Sequence, residues 1–280
     1  PRHSSPPPQG RLGALGGIKP KAMLREETVF GPIFSRRLGT SLGINLLPEK
    51  GKICNFDCIY CECGWNRDGR GDTLLPSAEK VRNDLESMLL RLQKEGTRID
   101  SITFSGDGEP TLNPAFPTII DNTLALRDSL APEAKVSVLS NATRVHIPEV
   151  FRALTRVDNP IMKIDAPTNE LVARINNPAP GYDIRRVVEA LKQFHGDFIL
   201  QTCMLRSREY GFDSSRPEVL DGWMDIVREL RPRQIMVYTI DRPTPAQGLE
   251  KFSPDEMRRL VQPLIDEGFS IQIKGAVEDN

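Results

Sequence analysis

The stretch KGKICNFDCIYCECG, residues 50–64, gathers Cys54, Cys58, Cys61 and Cys63 into ten positions of a 280-residue chain that has five cysteines in all. An odd cysteine count with this crowding argues against a disulfide framework. The thiols point instead to metal chemistry, and the spacing Cys54-x3-Cys58-x2-Cys61 sets what kind. Three thiolates closing on one short loop meet one face of a cuboidal 4Fe-4S cluster and leave its fourth iron open. Zinc asks for a closed set of four, and Cys203 is the one cysteine outside the loop, with no CxxC or HxxxH partner. Iron–sulfur, zinc and inert thiols thus stand as the three readings, in that order. Cys63 reads as a spare thiol, because a fourth protein ligand would close the site.

The rest of the composition is that of a globular protein, with 39% hydrophobic and 27% charged residues. A net charge of −1 gives no global attraction to DNA, RNA or anionic membranes. No apolar run reaches 18 residues, and no charged-then-apolar leader opens the chain. A reducing cytoplasmic setting is expected. Residues 1–22 are rich in Pro and Gly, and Met23 reads as a start. Residues 1–27 are therefore set apart as a flexible tail or cloning remnant, and 28–280 as one domain.

Strand and helix signals alternate from about residue 42 onward. Strands are expected at 41–47, 101–106, 135–141, 160–166, 197–205, 233–240 and 269–275. Helices are expected at 77–95, 115–129, 148–156, 168–176, 183–194, 217–230 and 253–267. The last of these opens with Ser253 as N-cap, Pro254 at N1 and Glu256 at N3, and Gly268 ends it. Such alternation predicts an α/β fold, a partial (β/α)6-type barrel of parallel strands with outer helices; an open doubly wound sheet is the alternative. In a barrel, chemistry sits at the carboxyl ends of the strands, and the cysteine loop follows the first strand directly.

CxxxCxxC with Tyr60 just before the last cysteine resembles the radical S-adenosylmethionine (SAM) superfamily. The stretch TFSGDGEPTLNP, residues 103–114, strengthens the likeness: it follows the second strand and resembles that superfamily's Gly-Gly-Glu-Pro motif. FGPIFSRRLGTSLGINLLP (30–48) and IDAPTNELVARINNP (164–178) narrow it to the group related to the wyosine-base synthases, which modify a tRNA guanosine and whose bacterial members have unassigned substrates. The extra upstream cysteines that hold a second cluster in those synthases are missing here.

The resemblance implies a 4Fe-4S cluster on Cys54, Cys58 and Cys61, and SAM on its open iron. Tyr60 would lie near the adenine. Gly106, Asp107, Gly108 and Glu109 would receive the methionine ammonium, the glycines by letting carbonyls approach and the carboxylates by charge-assisted bonds. Ser140 and Asn141 would add polar contacts from the third strand end. Lys163 and Asp165, two apart and so on one strand face, read as an interior ion pair or as cofactor and substrate contacts. Cys203 reads as a buried apolar thiol or a hydrogen-atom donor, and Tyr238 as packing or the same chemistry. Arg36 and Arg37 suit a phosphate or carboxylate. Residues 62–76 read as a lid or substrate loop, or as a surface excursion.

The function implied is reductive cleavage of SAM to a 5′-deoxyadenosyl radical that takes hydrogen from a nucleoside or tRNA base, a small molecule or a peptide. A flavodoxin- or ferredoxin-type reductant would supply the electron. A glycyl-radical activase and a non-catalytic metal-binding protein are the alternatives.

Overall fold

A computed structural model describes residues 27–35 and 39–276. The expected tail, but for Glu27, and the Arg36–Arg37 pair lie outside the described residues. Strands β1 (Val29–Ser35) and β2 (Gly39–Ile44) open the fold. Then follow α1 (Ala78–Glu95), β3 (Ser101–Phe104), α2 (Phe116–Leu130), β4 (Lys135–Ser140), α3 (Pro148–Arg156) and β5 (Asn159–Lys163). Next come α4 (Asn169–Asn176), α5 (Ile184–Leu191), β6 (Ile199–Ser207), β7 (Phe212–Asp213), α6 (Pro217–Leu230) and β8 (Gln234–Thr239). β9 (Glu250–Lys251), α7 (Pro254–Asp266) and β10 (Ile271–Lys274) complete it.

The strands stand in the order β1-β2-β3-β4-β5-β6-β8-β10. From β2 to β10 every neighbouring pair is parallel. The order follows the chain without a reversal. A doubly wound sheet needs a switch point where that order turns back, so the barrel-type alternative is the one found. Six helical crossovers link seven parallel strands, and β1 caps the first edge antiparallel to β2. Among the described residues β1 and β10 are not paired with each other, and the barrel is partial. No helix among them is long and apolar enough to cross a membrane.

The helices are where their sequence signals put them. Ser253 and Glu256 close a reciprocal capping box on α7. On α1, Ser77 accepts from Lys80 N, and Val81, Leu85, Leu89 and Leu92 face the sheet. The outer sheet face joins the helices in one core: Leu42, Ile44, Ile102, Phe104, Val136, Val138, Leu200 and Val237 belong to it. Met162 and Ile164 join them, on the helix side as expected. The inner face holds a small apolar group, Ile161, Ile199 and Met236, and a polar one: Ser41, Ser101 and Thr103 bond one another, and Asn159 bonds Ser137. Trp223 of α6 donates to Thr202 Oγ1 (2.9 Å) and Ile164 O (3.2 Å), which fixes the chain just past β5, between Lys163 and Asp165.

β1 was not expected. Its Gly31-Pro32 breaks the alternation of a strand, and an edge position tolerates that break.

Helix-to-sheet packing supplies the core, so Leu85→Ala (0% exposed) will lower the free energy of unfolding by about 2–5 kcal/mol, read from urea transitions. Leu90→Ala (47% exposed) will stay within about 0.5 kcal/mol of the parent.

Candidate functional site

The loops leaving β2 and β3 are bound to each other before any ligand is considered. Ile53 N donates to Asp107 O (3.0 Å) and Glu109 N to Ile53 O (3.1 Å). This is a one-residue parallel bridge between Ile53 and Gly108. Gly108 has φ +135°, and a Cβ there would fall 1.7 Å from Ile53 O. A Cβ on Gly106 would fall 2.2 Å from Asn45 Oδ1. Both glycines thus have a reason inside the chain, where the sequence pointed to a ligand. Asn45, at the end of β2, holds the pair together: its Oδ1 accepts from Asp107 N and Leu47 N (both 3.1 Å), and its Nδ2 donates to Asp107 Oδ2 (3.2 Å).

Glu109 ties this turn to the end of β4. Its buried carboxylate accepts from Thr111 N (3.1 Å), Thr111 Oγ1, Ser140 Oγ (3.0 Å) and Asn141 N (2.7 Å). Burial raises its pKa, and these bonds oppose the rise. Asn141 then reaches the cysteine loop, donating to Asn55 Oδ1 (2.7 Å) and standing 3.8 Å from Cys54 Sγ.

The cysteine loop is held from the other side by the end of α4. Asp57 N donates to Asn176 O (2.8 Å) and Ile59 N to Ile175 O (3.0 Å). The side-chain amide of Asn176 donates to Asp165 Oδ2 (2.9 Å) and lies 3.2 Å from Cys58 Sγ. Residues 64–69 fold back on the loop rather than standing off it. Asn66 donates to Cys54 O (3.1 Å) and Phe56 O (2.8 Å), and Lys52 N donates to Gly69 O (2.7 Å).

The thiols are unlike one another. Burial pushes Cys54 up. Burial, then Cys61 and Asp165, push Cys58 up to about 12. A hydrogen bond from Cys63 brings Cys61 down to about 6, against the rise from burial and with help from Lys52. Cys63 is pushed up by that same bond and by burial; its Sγ lies 3.7 Å from Gly106 O. Burial alone would lower Lys52, but Cys61, Cys54, Cys58 and Asp57 outweigh it and hold the ammonium above its ordinary value.

Among the described residues no three His, Cys, Asp or Glu side chains are gathered to hold a single metal ion. A cuboidal cluster makes a different demand, since each thiolate meets its own iron corner. Three thiols on one loop, with amide donors at two of them, fit that demand.

A second buried network lies beside it, at the carboxyl ends of β5, β6 and β8. Asp165 accepts from Tyr60 OH, Asn176 Nδ2 and Cys203 N (2.8 Å), and pairs with Lys163 Nζ at 3.6 Å. Lys163 Nζ donates to Tyr238 OH (2.5 Å) and lies 5.2 Å and 4.7 Å from the ring centres of Tyr60 and Tyr238. Burial would lower Lys163, but Asp165 and Tyr238 more than reverse it, and it stays an ammonium. Burial raises Tyr60, Tyr238 and Cys203, so all three keep their hydrogens. Cys203 and Tyr238 are register partners on adjacent strands.

The sequence-predicted residues thus fall into two groups: Asn141 ties the Glu109 turn to the cysteine loop within the first, and Asn176 joins that loop to the second. A cleft of about 710 Å³ lies beside the site and meets it at Asn55 and Thr143. Asn45, Lys52, Asn66 and Asn176 were missed. Their signal was thin: each flanks the motif in sequence or closes an element.

Residues 49–206, more than half of the chain, match the profile of the radical SAM superfamily. A UPF0026 protein of Helicobacter pylori is 30% identical over 236 residues, 82% of this chain and 71% of that protein. A Brachyspira hyodysenteriae protein called GTPase Obg is 28% identical over 250 residues. That match takes in 88% of this chain, which spans only 34% of the Brachyspira protein. The fold is that of a radical SAM methyltransferase from Sphaerobacter thermophilus (TM-score 0.65, 16% identity, 87% of this chain and 68% of that one). It is also that of TYW1 with a lysine-pyruvate adduct bound (TM-score 0.59, 14% identity, 86% and 76%). Streptococcus suis SuiB bound to S-adenosylmethionine shares it as well (TM-score 0.58, 16% identity, 81% and 49%).

Glu109→Gln replaces an acceptor oxygen by an NH2 group among four donors. It will lower the stability of the cofactor-free protein by about 1–3 kcal/mol in urea unfolding. An unchanged midpoint would mean that the carboxylate does not tie β4 to the turn.

Proposed function

The chain belongs to the radical SAM superfamily, alongside the UPF0026 proteins, and on that premise we propose that it is a 4Fe-4S enzyme that cleaves SAM reductively and takes hydrogen from a substrate. One observation carries this reading. The loop with Cys54, Cys58 and Cys61 is bound edge to edge to the Gly106–Glu109 turn and opens onto the buried Lys163–Asp165 network. When bound, the cluster and SAM supply a 5′-deoxyadenosyl radical, which abstracts hydrogen.

The chain's own residues then have definite tasks. Cys54, Cys58 and Cys61 hold the cluster. Asn141 and Asn176 donate toward Cys54 and Cys58 sulfur and orient them. Gly106, Asp107 and Gly108 present backbone and carboxylate toward the ammonium of SAM. Glu109 and Ser140 act at that edge by fixing the turn, since their polar atoms bond each other and their neighbours. Lys163 is a fixed cation between two tyrosine faces and receives an anionic group of SAM or substrate. Asp165 holds Tyr60, whose ring closes one wall beside the adenine. Cys203 and Tyr238, both protonated and register partners on adjacent strands, are the candidate hydrogen donors of this network. The apolar side chains of Ile59, Ala166, Leu171, Val172 and Ala246 exclude water around it.

A nucleoside or RNA base is the substrate class this reading favours, on the chain's likeness to the wyosine-synthase group. A flavodoxin- or ferredoxin-type protein supplies the electron in a reducing cytosol.

Anaerobic reconstitution with iron and sulfide, then dithionite and SAM, will yield 5′-deoxyadenosine from the parent and none above background from Cys58→Ala, read by chromatography. A parent that takes up iron and sulfide yet gives no 5′-deoxyadenosine would contradict the reading.

A further inference from the structure

Lys52 is a buried cation with no task so far. Its side chain is 1% exposed. Its Nζ donates to Gly64 O at 2.6 Å and stands 3.8 Å from Asp57 Oδ1. These two partners bracket the cysteines: Asp57 lies between Cys54 and Cys58, and Gly64, whose N–H donates to Cys61 O (3.0 Å), follows Cys61. The short turn Asn66–Gly69 shuts water out of the lysine stem. A Cβ on Gly69 would fall 2.5 Å from Lys52 Cβ, so the backbone lies flat against it.

Structure alone does not call for a charge here. Burying an ammonium costs desolvation, and a carboxylate with 23% of its side chain exposed repays it in part. An apolar side chain of the same length would avoid that desolvation but take the donor away from Gly64 O, a demand that a neutral donor could also meet. What the charge does supply is a positive potential inside the loop that carries the three cysteines, held between Asp57 and Gly64. Net charge and hydrogen bonding around the sulfurs set how readily an iron–sulfur cluster takes an electron.

We propose that Lys52 is a positioning residue for electron uptake: its buried ammonium stabilises the thiolate set of Cys54, Cys58 and Cys61 and raises the reduction potential of the cluster on them, with Asp57 as the opposing charge. The inference rests on the cluster reading above. In the step concerned, one electron passes from an external reductant to the cluster. The charge of the cluster falls by one, and Lys52 neither gains nor loses a proton. The ammonium favours the more negative state.

The test uses the full chain, reconstituted anaerobically, as parent, Lys52→Met, Lys52→Arg and Asp57→Asn. Iron and sulfide are counted per chain, and the reduced cluster is followed by electron paramagnetic resonance during a dithionite titration. At the parent's midpoint, Lys52→Met will show a ratio of reduced to oxidised cluster at least tenfold lower, a shift of about 59 mV for a one-electron couple. Lys52→Arg will restore the parent's ratio, and Asp57→Asn will move it the other way. A residue that only braces the loop would change cluster content without this reversal of sign. Equal ratios in all four proteins at equal iron and sulfide overturn the proposal. If Lys52→Met holds no cluster, Asp57→Asn decides: a higher ratio supports the proposal, and an unchanged or lower one overturns it. A parent that takes up no iron and sulfide sinks the proposed function, and this inference with it.

Discussion

The backbone of Ile53 lies directly against that of Gly108, with no room for a side chain between them. Everything at the site depends on that contact. It joins the loop after β2 to the turn after β3, and so sets where the first cysteine stands relative to the strand ends. Asn45 doubles the joint through its amide, and Glu109 extends it to β4. The cysteine loop is then suspended between two asparagines, Asn141 on the β4 side and Asn176 at the end of α4. Loop sites are precise only where such contacts over-determine them. Here the ties are hydrogen bonds rather than packing, which keeps the sulfur-facing side polar.

Besides Lys52, the charged groups Glu109, Asp165 and Lys163 stand near the loop, and each is settled differently. Glu109 is satisfied by its own turn and the β4 end, and its work is to hold backbone. Asp165 is shared among Tyr60, Asn176, Cys203 and Lys163, so one carboxylate fixes an aromatic ring, a helix end, a strand and a cation at once. Lys163 faces two aromatic rings and a phenol, with a single carboxylate at 3.6 Å. It is the cation that an incoming anionic group would meet. Buried pairs of this kind do little for stability but impose one arrangement. Geometry is what radical chemistry asks of a protein, because the cofactors carry the reaction itself.

Much of the fold was legible in the sequence because the parallel strands are apolar runs bounded by helix caps. The seven expected strands are the seven parallel ones, joined by six crossovers as a (β/α)6 pattern asks, and the β1 edge is the addition. β7 and β9 escaped notice because two-residue strands have no period to read. The cysteines and the Gly-Asp-Gly-Glu-Pro turn stood out by spacing. Their supports did not: Asn45, Asn66 and Asn176 look like ordinary loop and helix-end residues until tertiary folding brings sulfur or backbone to them. Nothing in the sequence marks Lys52 as buried. Residues 62–76 read as a lid or substrate loop, or as a surface excursion; Asn66 and Gly69 bind the cysteine loop, and Leu74 stands exposed.

The central claim is that three cysteines hold a cluster with one iron left for a ligand from outside the chain. Mössbauer spectroscopy of the protein reconstituted with ⁵⁷Fe, recorded without and with SAM, tests it most directly. The account predicts a four-iron spectrum in which one iron alone changes when SAM is added. Four irons that ignore SAM, or a parent chain that binds zinc in their place, would contradict it.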